Sequence, residues 1–255
     1  MPDSLNPNEL ERYHKHLQLP EVGASGQLKL KAASVLVVGV GGLGSPAALY
    51  LAAAGVGRIG LVDDDRVALS NLQRQVLHSV QTIGVPKPAS GAKMLQDLNP
   101  EIEVKQYPLR LTDNNAAVLI KEFDIVLDCT DNYSARLVIN RACVAQHKPM
   151  VHGAVYRFEG QVSVFHSPAG PCYTCLYSQK PAEAAIPDPA KNGLIATAPG
   201  VIGVIQANEV IKLIVEIGKP LVGRLLLVDL LEMNFQEVRI KRNPQCPVCG
   251  SESRI

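Results

Sequence analysis

The sequence predicts an α/β fold: a doubly wound, mostly parallel sheet extended by antiparallel strands. Three observations predict it. Short Val/Leu/Ile runs alternate with Ala- and Leu-rich helical stretches from residue 34 to residue 155, the pattern of crossover helices and strands buried on both faces. The first run opens directly into Gly39-Val40-Gly41-Gly42-Leu43-Gly44, a turn that suits the first strand-to-helix passage of such a sheet. After residue 160 the apolar residues alternate with polar ones, as in antiparallel strands with one solvated face.

The elements follow in order. Asn8–Lys31 reads as a helical arm broken at Pro20 and Gly23, with Leu10, Tyr13, Leu17, Leu28 and Leu30 as its apolar contacts. Ser34–Val40 is a buried strand and Ser45–Gly55 a helix that stops at glycine. Strand Arg58–Asp63, helix Lys87–Leu98, strand Ile102–Tyr107, helix Asn114–Lys121 and strand Phe123–Cys129 come next. Helix Tyr133–Gln146 and strand Pro149–Val155 complete the alternating part. Gly160–His166 reads as an antiparallel, half-exposed strand, and Lys180–Pro199 as a loop without period. Gly200–Ile217 is a strongly apolar helix, followed by strands Gly223–Leu230 and Asn234–Lys241 and a tail from Asn243. No linker interrupts this order. The expectation is a single domain over 1–255: an arm (1–33), a nucleotide-binding part (34–160), and a part with antiparallel strands, crossover loop and metal site (161–255).

Composition narrows the function. The chain has 255 residues, 47% hydrophobic, with a formal net charge of +1, so electrostatics give no case for nucleic acid or an anionic membrane. No apolar run approaches about 20 residues, so no bilayer span is expected. Met1–Arg12 lacks the basic-then-apolar order of a secretion signal. Four of the six cysteines fall in Cys172-Tyr173-Thr174-Cys175 and Cys246-Pro247-Val248-Cys249, a spacing for metal rather than for a secreted disulfide scaffold. These features fit a reducing, cytoplasmic compartment. Cys129 and Cys143 read as small buried apolar residues. None of the six histidines has a usable partner spacing; His152 and His166 read as satisfied imidazoles on strands.

The glycine turn points to phosphate. Without side chains, backbone N–H groups approach phosphate oxygens, and the helix N-terminus adds partial positive charge. Asp63, 19 residues after Gly44, stands where a carboxylate would bind ribose hydroxyls. A Rossmann-like nicotinamide dehydrogenase would fit this much. It would not need the residues that follow: Asp65, then Ser70-Asn71-Leu72-Gln73-Arg74-Gln75, then Lys87. A triphosphate needs donors of that kind to stabilise charge that develops as pyrophosphate leaves. Asp128-Cys129-Thr130-Asp131-Asn132 closes a further strand at the same end of the sheet. A carboxylate there can hold Mg²⁺. Asp128 can equally cap a neighbour within the strand, and Asp131 can equally cap the next helix.

The two cysteine pairs, about 70 residues apart, can supply four thiolates to a closed, tetrahedral structural Zn²⁺ site. A redox pair or an accidental pairing is the alternative.

Glycine loop, acidic strand end, SNLQRQ, downstream lysine and DCTDN occur here in the order that marks the ThiF/MoeB/HesA family, bacterial relatives of ubiquitin-activating enzymes. The chain resembles that family from Leu10 to Gly250. Within it, the likeness is to the sulfur-carrier adenylyltransferases, including those that serve molybdopterin synthase. The resemblance implies ATP-dependent adenylation of the C-terminal Gly-Gly carboxylate of a small ubiquitin-like sulfur carrier. It further implies Gly39, Gly41, Gly42 and Gly44 lining the nucleotide, Asp63 on ribose, and Asp65, Ser70 and Asn132 beside it. Asn71, Arg74 and Lys87 would hold phosphates and Asp131 would hold Mg²⁺. Arg12 matches an arginine inserted from a partner subunit, which implies a homodimer. Pro88 departs from the family pattern but suits a first helical turn.

One family feature is missing. The stretch KPAEAAIPDPAKNGLIATAP contains no cysteine, where many members carry a thioester or persulfide residue. The expectation is adenylation without an enzyme thioester, an external sulfur donor, and no fused sulfurtransferase domain. Other readings remain an NAD-dependent oxidoreductase, a non-catalytic carrier-binding scaffold, and a relative acting on a tRNA base or a short peptide.

Overall fold

The structure, a computed structural model, describes residues 4–178 and 193–250. One eight-stranded sheet organises them, in the order β3-β2-β1-β4-β5-β6-β7-β8. The strands are β1 Ser34–Val38, β2 Arg58–Val62, β3 Glu103–Tyr107, β4 Ile125–Asp128, β5 Met150–Tyr156, β6 Glu159–Phe165, β7 Arg224–Asp229 and β8 Asn234–Arg239. The first five are parallel; β5 to β8 pair antiparallel. The helices are α1 Pro7–Arg12, α2 His14–Leu17, α3 Gly23–Ala32, α4 Gly44–Ala54, α5 Lys87–Leu98, α6 Ala116–Lys121, α7 Tyr133–Ala145, α8 Tyr173–Leu176 and α9 Thr197–Val215.

The period of two along β1 builds both faces of the core. Val35 and Val37 join a cluster with α3, α4, α5 and α9. Leu36 and Val38 join a second cluster with α6 and α7 on the other face. Every β1 residue is buried, which is why the sequence shows no alternation there. The arm is pinned through Tyr13, whose hydroxyl accepts from Asn99 Nδ2 at 2.9 Å, and through Gln27, which donates to the Ala54 carbonyl. Tyr13 and Leu30 are buried, but Leu10 is 47% exposed, so it is not the core contact expected of it.

Three further expectations need correcting. The second half of β6, from Val162 to Phe165, is fully buried rather than half exposed, because α9 covers one face and the α7–α8 region the other. Helix α9 starts at Thr197, so Pro199 sits in its first turn instead of in the loop, where a missing N–H costs nothing. Residues 180–192 of that expected loop lie outside the described residues. Finally, α9 has 19 residues and is apolar enough to cross a membrane by length and composition. Half of that stretch is buried, and it packs on α4, β5 and β6.

Candidate nucleotide and metal sites

The C-terminal ends of β1, β2 and β4 lie side by side, with Val38 level with both Val62 and Asp128. The glycine turn springs from this point. Two of its glycines serve the fold. Gly39 has φ +93°, and a Cβ there would stand 2.7 Å from the Cys129 carbonyl. A Cβ on Gly44 would stand 2.0 Å from the Gly39 carbonyl oxygen. Gly41 leaves room, since a Cβ there would meet only the end of the Gln75 side chain, at 3.4 Å, whereas Gly42 is closely covered by side chains, with Pro199 Cβ at 3.1 Å and Arg74 Cγ at 3.6 Å from where a Cβ would stand. No side chain caps the start of α4; Ser45 N donates to the Gly41 carbonyl and Pro46 carries no N–H, so a ligand there would meet Gly44 N and the turn before it. Ser45 Oγ and Gln75 Oε1 are buried there without hydrogen-bond partners. The room at Gly41, an uncapped helix start and the unpartnered Ser45 hydroxyl fit a phosphate, and Gln75 Oε1, an acceptor, fits a donor elsewhere on a phosphate-bearing ligand.

Asp63 shapes the turn from β2. Its carboxylate accepts from Val40 N at 2.8 Å and from Asp65 N at 2.9 Å. Lys87, the first residue of α5, is 5% exposed. Its Nζ lies 2.8 Å from Asp65 and 4.0 Å from Asp63. This buried cation therefore has a counter-ion that an incoming phosphate would displace or join. Pro88 occupies the first turn of α5, as expected.

The SNLQRQ segment passes over the same opening. Ser70 and Asn71 belong to a short 3-10 turn, Leu69–Asn71. Asn71 Oδ1 accepts from Ala68 N, and Arg74 donates to the Ser70 carbonyl at 3.2 Å. His78 ties the segment down. Its Nε2 donates to the Val40 carbonyl at 2.9 Å, and its Nδ1 accepts from Ser90 Oγ of α5 at 2.9 Å. Burial, and then the nearby Lys87, push the imidazole below its usual value, consistent with the neutral ring this bonding requires. Sequence reading missed His78 and the unpartnered Gln75. Only the fold brings them to the glycine turn.

Beyond β4 the roles separate. Asp128 is wholly buried and accepts from Thr130 N, Thr130 Oγ1 and His152 Nδ1; it turns inward, within the protein. Asn132 caps α7, accepting from Ala135 N at 2.9 Å. Asp131 is therefore not the cap. It is exposed and, among the described residues, accepts only from Asn132 Nδ2, at 3.3 Å. Arg12 is not brought to this group. It donates to the Leu98 carbonyl at the opposite end of α5 from Lys87, about 16 Å away by helical rise.

The other centre is compact. The sulfurs of Cys172, Cys175, Cys246 and Cys249 lie within 4.8 Å of one another, with Cys172–Cys246 at 3.6 Å and Cys175–Cys249 at 3.4 Å. A tetrahedron of thiolates around Zn²⁺ spaces its sulfurs by about 3.8 Å, so the donor set fits. Asn140 of α7 holds the first pair, accepting from Tyr173 N and donating to Thr174 Oγ1. Gly250 N closes the second knuckle on the Cys246 carbonyl. Burial pushes the Cys172 and Cys175 thiols up. Against its own burial, thiol hydrogen bonds hold Cys249 down. Four crowded sulfurs ionise together only around a cation.

A doubly wound sheet with a phosphate cradle at its switch point and a tetrathiolate tail defines a nucleotide-binding α/β protein. The ThiF family profile matches residues 13–248, and the chain belongs to that family. It is 49% identical over 249 residues to the sulfur carrier protein adenylyltransferase of Thermus thermophilus, covering 96% of this chain and 92% of that protein. It is 44% identical over 247 residues to the SAMP-activating enzyme E1 of Haloferax volcanii, covering 97% and 91%. A crystal structure of E. coli MccB with ATP superposes with a TM-score of 0.82 at 27% identity, covering 98% of this chain and 76% of that one.

Proposed function

We propose that this chain is an adenylyltransferase acting on the C-terminal Gly-Gly carboxylate of a ubiquitin-like sulfur carrier, within a single ThiF-type domain. The carrying observation is the convergence at one sheet edge of the Gly41 cradle, the buried Lys87 and the exposed Asp131. A carrier carboxylate oxygen bonds to the α-phosphorus of ATP. The bond to the β-phosphate bridging oxygen breaks, and pyrophosphate leaves with the electron pair. The α4 N-terminus and the glycine-turn N–H groups orient the phosphates. Lys87, with Arg74 and Asn71 turned from their local bonds, holds charge on the leaving pyrophosphate. Asp63 aligns the ribose while fixing the turn, with Asp65, Ser70 and Asn132 around it. Asp131 would hold Mg²⁺, which supplies charge neutralisation between phosphates.

Arg12 lies too far from Lys87 of its own chain, so we assign it to the site of a second copy in a homodimer. The tetrathiolate cluster takes structural Zn²⁺. No thioester forms. The stretch 180–199 holds no cysteine, and burial raises the thiol pKa of both Cys129 and Cys143, leaving them poor nucleophiles. The acyl-adenylate passes to an external sulfur donor. None of the six cysteines is in a disulfide, and we place the enzyme in the cytoplasm, where thiols stay reduced.

The test is ATP–pyrophosphate exchange with Mg²⁺ and a panel of carriers ending in Gly-Gly. Exchange with one carrier, abolished by Asp131→Ala in a folded protein, supports the reading and names the carrier. Tight binding of NAD in place of ATP overturns it. A reductant-sensitive enzyme–carrier conjugate in a mass spectrum would contradict the absence of a thioester.

A further inference from the structure

The adenylation account leaves one buried group unused. His152 on β5 and Asp128 on β4 are both completely buried, paired through His152 Nδ1 and Asp128 Oδ2 at 2.7 Å. Burial holds His152 below its usual value. Burial alone would raise Asp128, but hydrogen bonds from His152 and Thr130 and the nearby Arg136 outweigh it and hold the carboxyl low. The pair is thus an imidazole donating one N–H to a carboxylate. The rings of Tyr173 and Phe165 enclose the imidazole, with centroids at 5.2 and 5.8 Å.

A carboxylate removed from water is costly unless its bonds are complete. Those of Asp128 lead outward to one place. Oδ1 accepts from Thr130 N at 3.1 Å and from Thr130 Oγ1 at 2.7 Å. From the opposite side, Arg136 of α7 donates to the Thr130 carbonyl at 2.8 Å. Thr130 is therefore clamped from strand and helix at once, and Asp131 is the next residue. Among the described residues, Asp131 itself has only the long bond from Asn132 to orient it. Its direction is set by the turn beneath it.

We propose that His152 is a positioning residue for Asp131. It fixes the Asp128 carboxylate, which fixes Thr130, which aims the Asp131 side chain at the phosphate-bound cation. This rests on the reading of Asp131 as the Mg²⁺ ligand. Outer partners of metal-binding side chains act in this way, and losing one commonly weakens metal affinity about 10- to 100-fold.

The experiment measures carrier-dependent ATP–pyrophosphate exchange against free Mg²⁺ at fixed ATP, and beside it Mn²⁺ binding to the ATP complex by electron paramagnetic resonance, for the wild type, His152→Leu, His152→Asn and Thr130→Val. Asparagine places an N–H donor where Nδ1 stands; leucine does not. The Leu variant should need about tenfold more Mg²⁺ for half-maximal exchange, while Asn stays near the wild type. Thr130→Val keeps the buried pair and the backbone bond from Thr130 N but removes the shorter hydroxyl bond to Asp128 at the turn, and should shift in the same direction. Equal shifts for Leu and Asn would mean that the ring only packs, and the inference would be wrong. If the His152 variants do not fold, Thr130→Val decides alone, and an unmoved Mg²⁺ dependence overturns the inference. A wild type that binds ATP but exchanges with no carrier removes the adenylation reading and this inference with it. A wild type that exchanges, beside an unmoved Thr130→Val, removes the inference only.

Discussion

The nucleotide end and the thiol end of this molecule are assembled on opposite principles. At the thiol end four like atoms are crowded and mostly buried, held by Asn140 and by their own knuckle turns. Ionised together, the four thiolates would repel one another without a cation. At the nucleotide end the charged groups satisfy one another: Lys87 pairs with Asp65, Asp63 holds Val40 N, and Arg74 donates to Ser70. That site is stable without ligand and must exchange partners to bind one. The difference teaches that a structural metal site stores its need in geometry, whereas a turnover site keeps its groups neutralised and replaceable.

Metal removal should break the comparison most visibly. Small thiolate sites draw about 10–16 kcal/mol from zinc in isolation. Stripping the metal, or Cys175→Ser, should lower the melting temperature by about 10 °C or more. ATP affinity of the protein still folded should barely change. Elemental analysis should find zinc in the wild type, lost together with the stability.

Lys87→Met should act the other way round. Exchange should fall about 10²–10³-fold, the usual loss for a donor to developing charge, with little change in melting temperature. A variant that unfolds instead would mean that Lys87 is a structural cation.

Within the glycine turn, position decides the outcome. Gly39→Ala forces a side chain onto φ +93° and against the Cys129 carbonyl, and should cost about 1–3 kcal/mol of stability. Gly41→Ala meets only the flexible end of Gln75. It should fold normally and bind ATP weakly, a split that melting curves and calorimetry resolve together.

The smallest effect concerns pH. Burial lowers both His78 and His152, so the unfolded chain binds protons more readily than the folded one. Stability should be full above about pH 6.5 and fall as the pH drops below it. His78→Gln should flatten part of that slope in melting temperature against pH.

Much of this was legible in the chain. Helix α5 runs from Lys87 to Leu98 as the sequence predicts, because its capless start and proline at the second position leave few alternatives. The cysteine cluster was legible from spacing, since two short knuckles have few ways to present four sulfurs. Other features were not. Val162–Phe165 alternates as if half exposed, and only the crossing of α9 buries its second face. Asp131 and Asn132 are adjacent candidates for one cap, and local pattern cannot choose between them. Asp128 and His152 stand 24 residues apart, so no window of sequence contains their bond.

By itself, then, the sequence determined the alternation of elements, the phosphate-type turn and the four metal-type cysteines, because each rests on periodicity or spacing within a short stretch of chain. Tertiary structure alone decided which glycines serve the fold and which one leaves room, that His78 staples three segments at Val40 and Ser90, and that Arg12 stands away from its own site. Those depend on which distant residues meet across a closed sheet, and hydrogen bonds and van der Waals contacts act only at such short range.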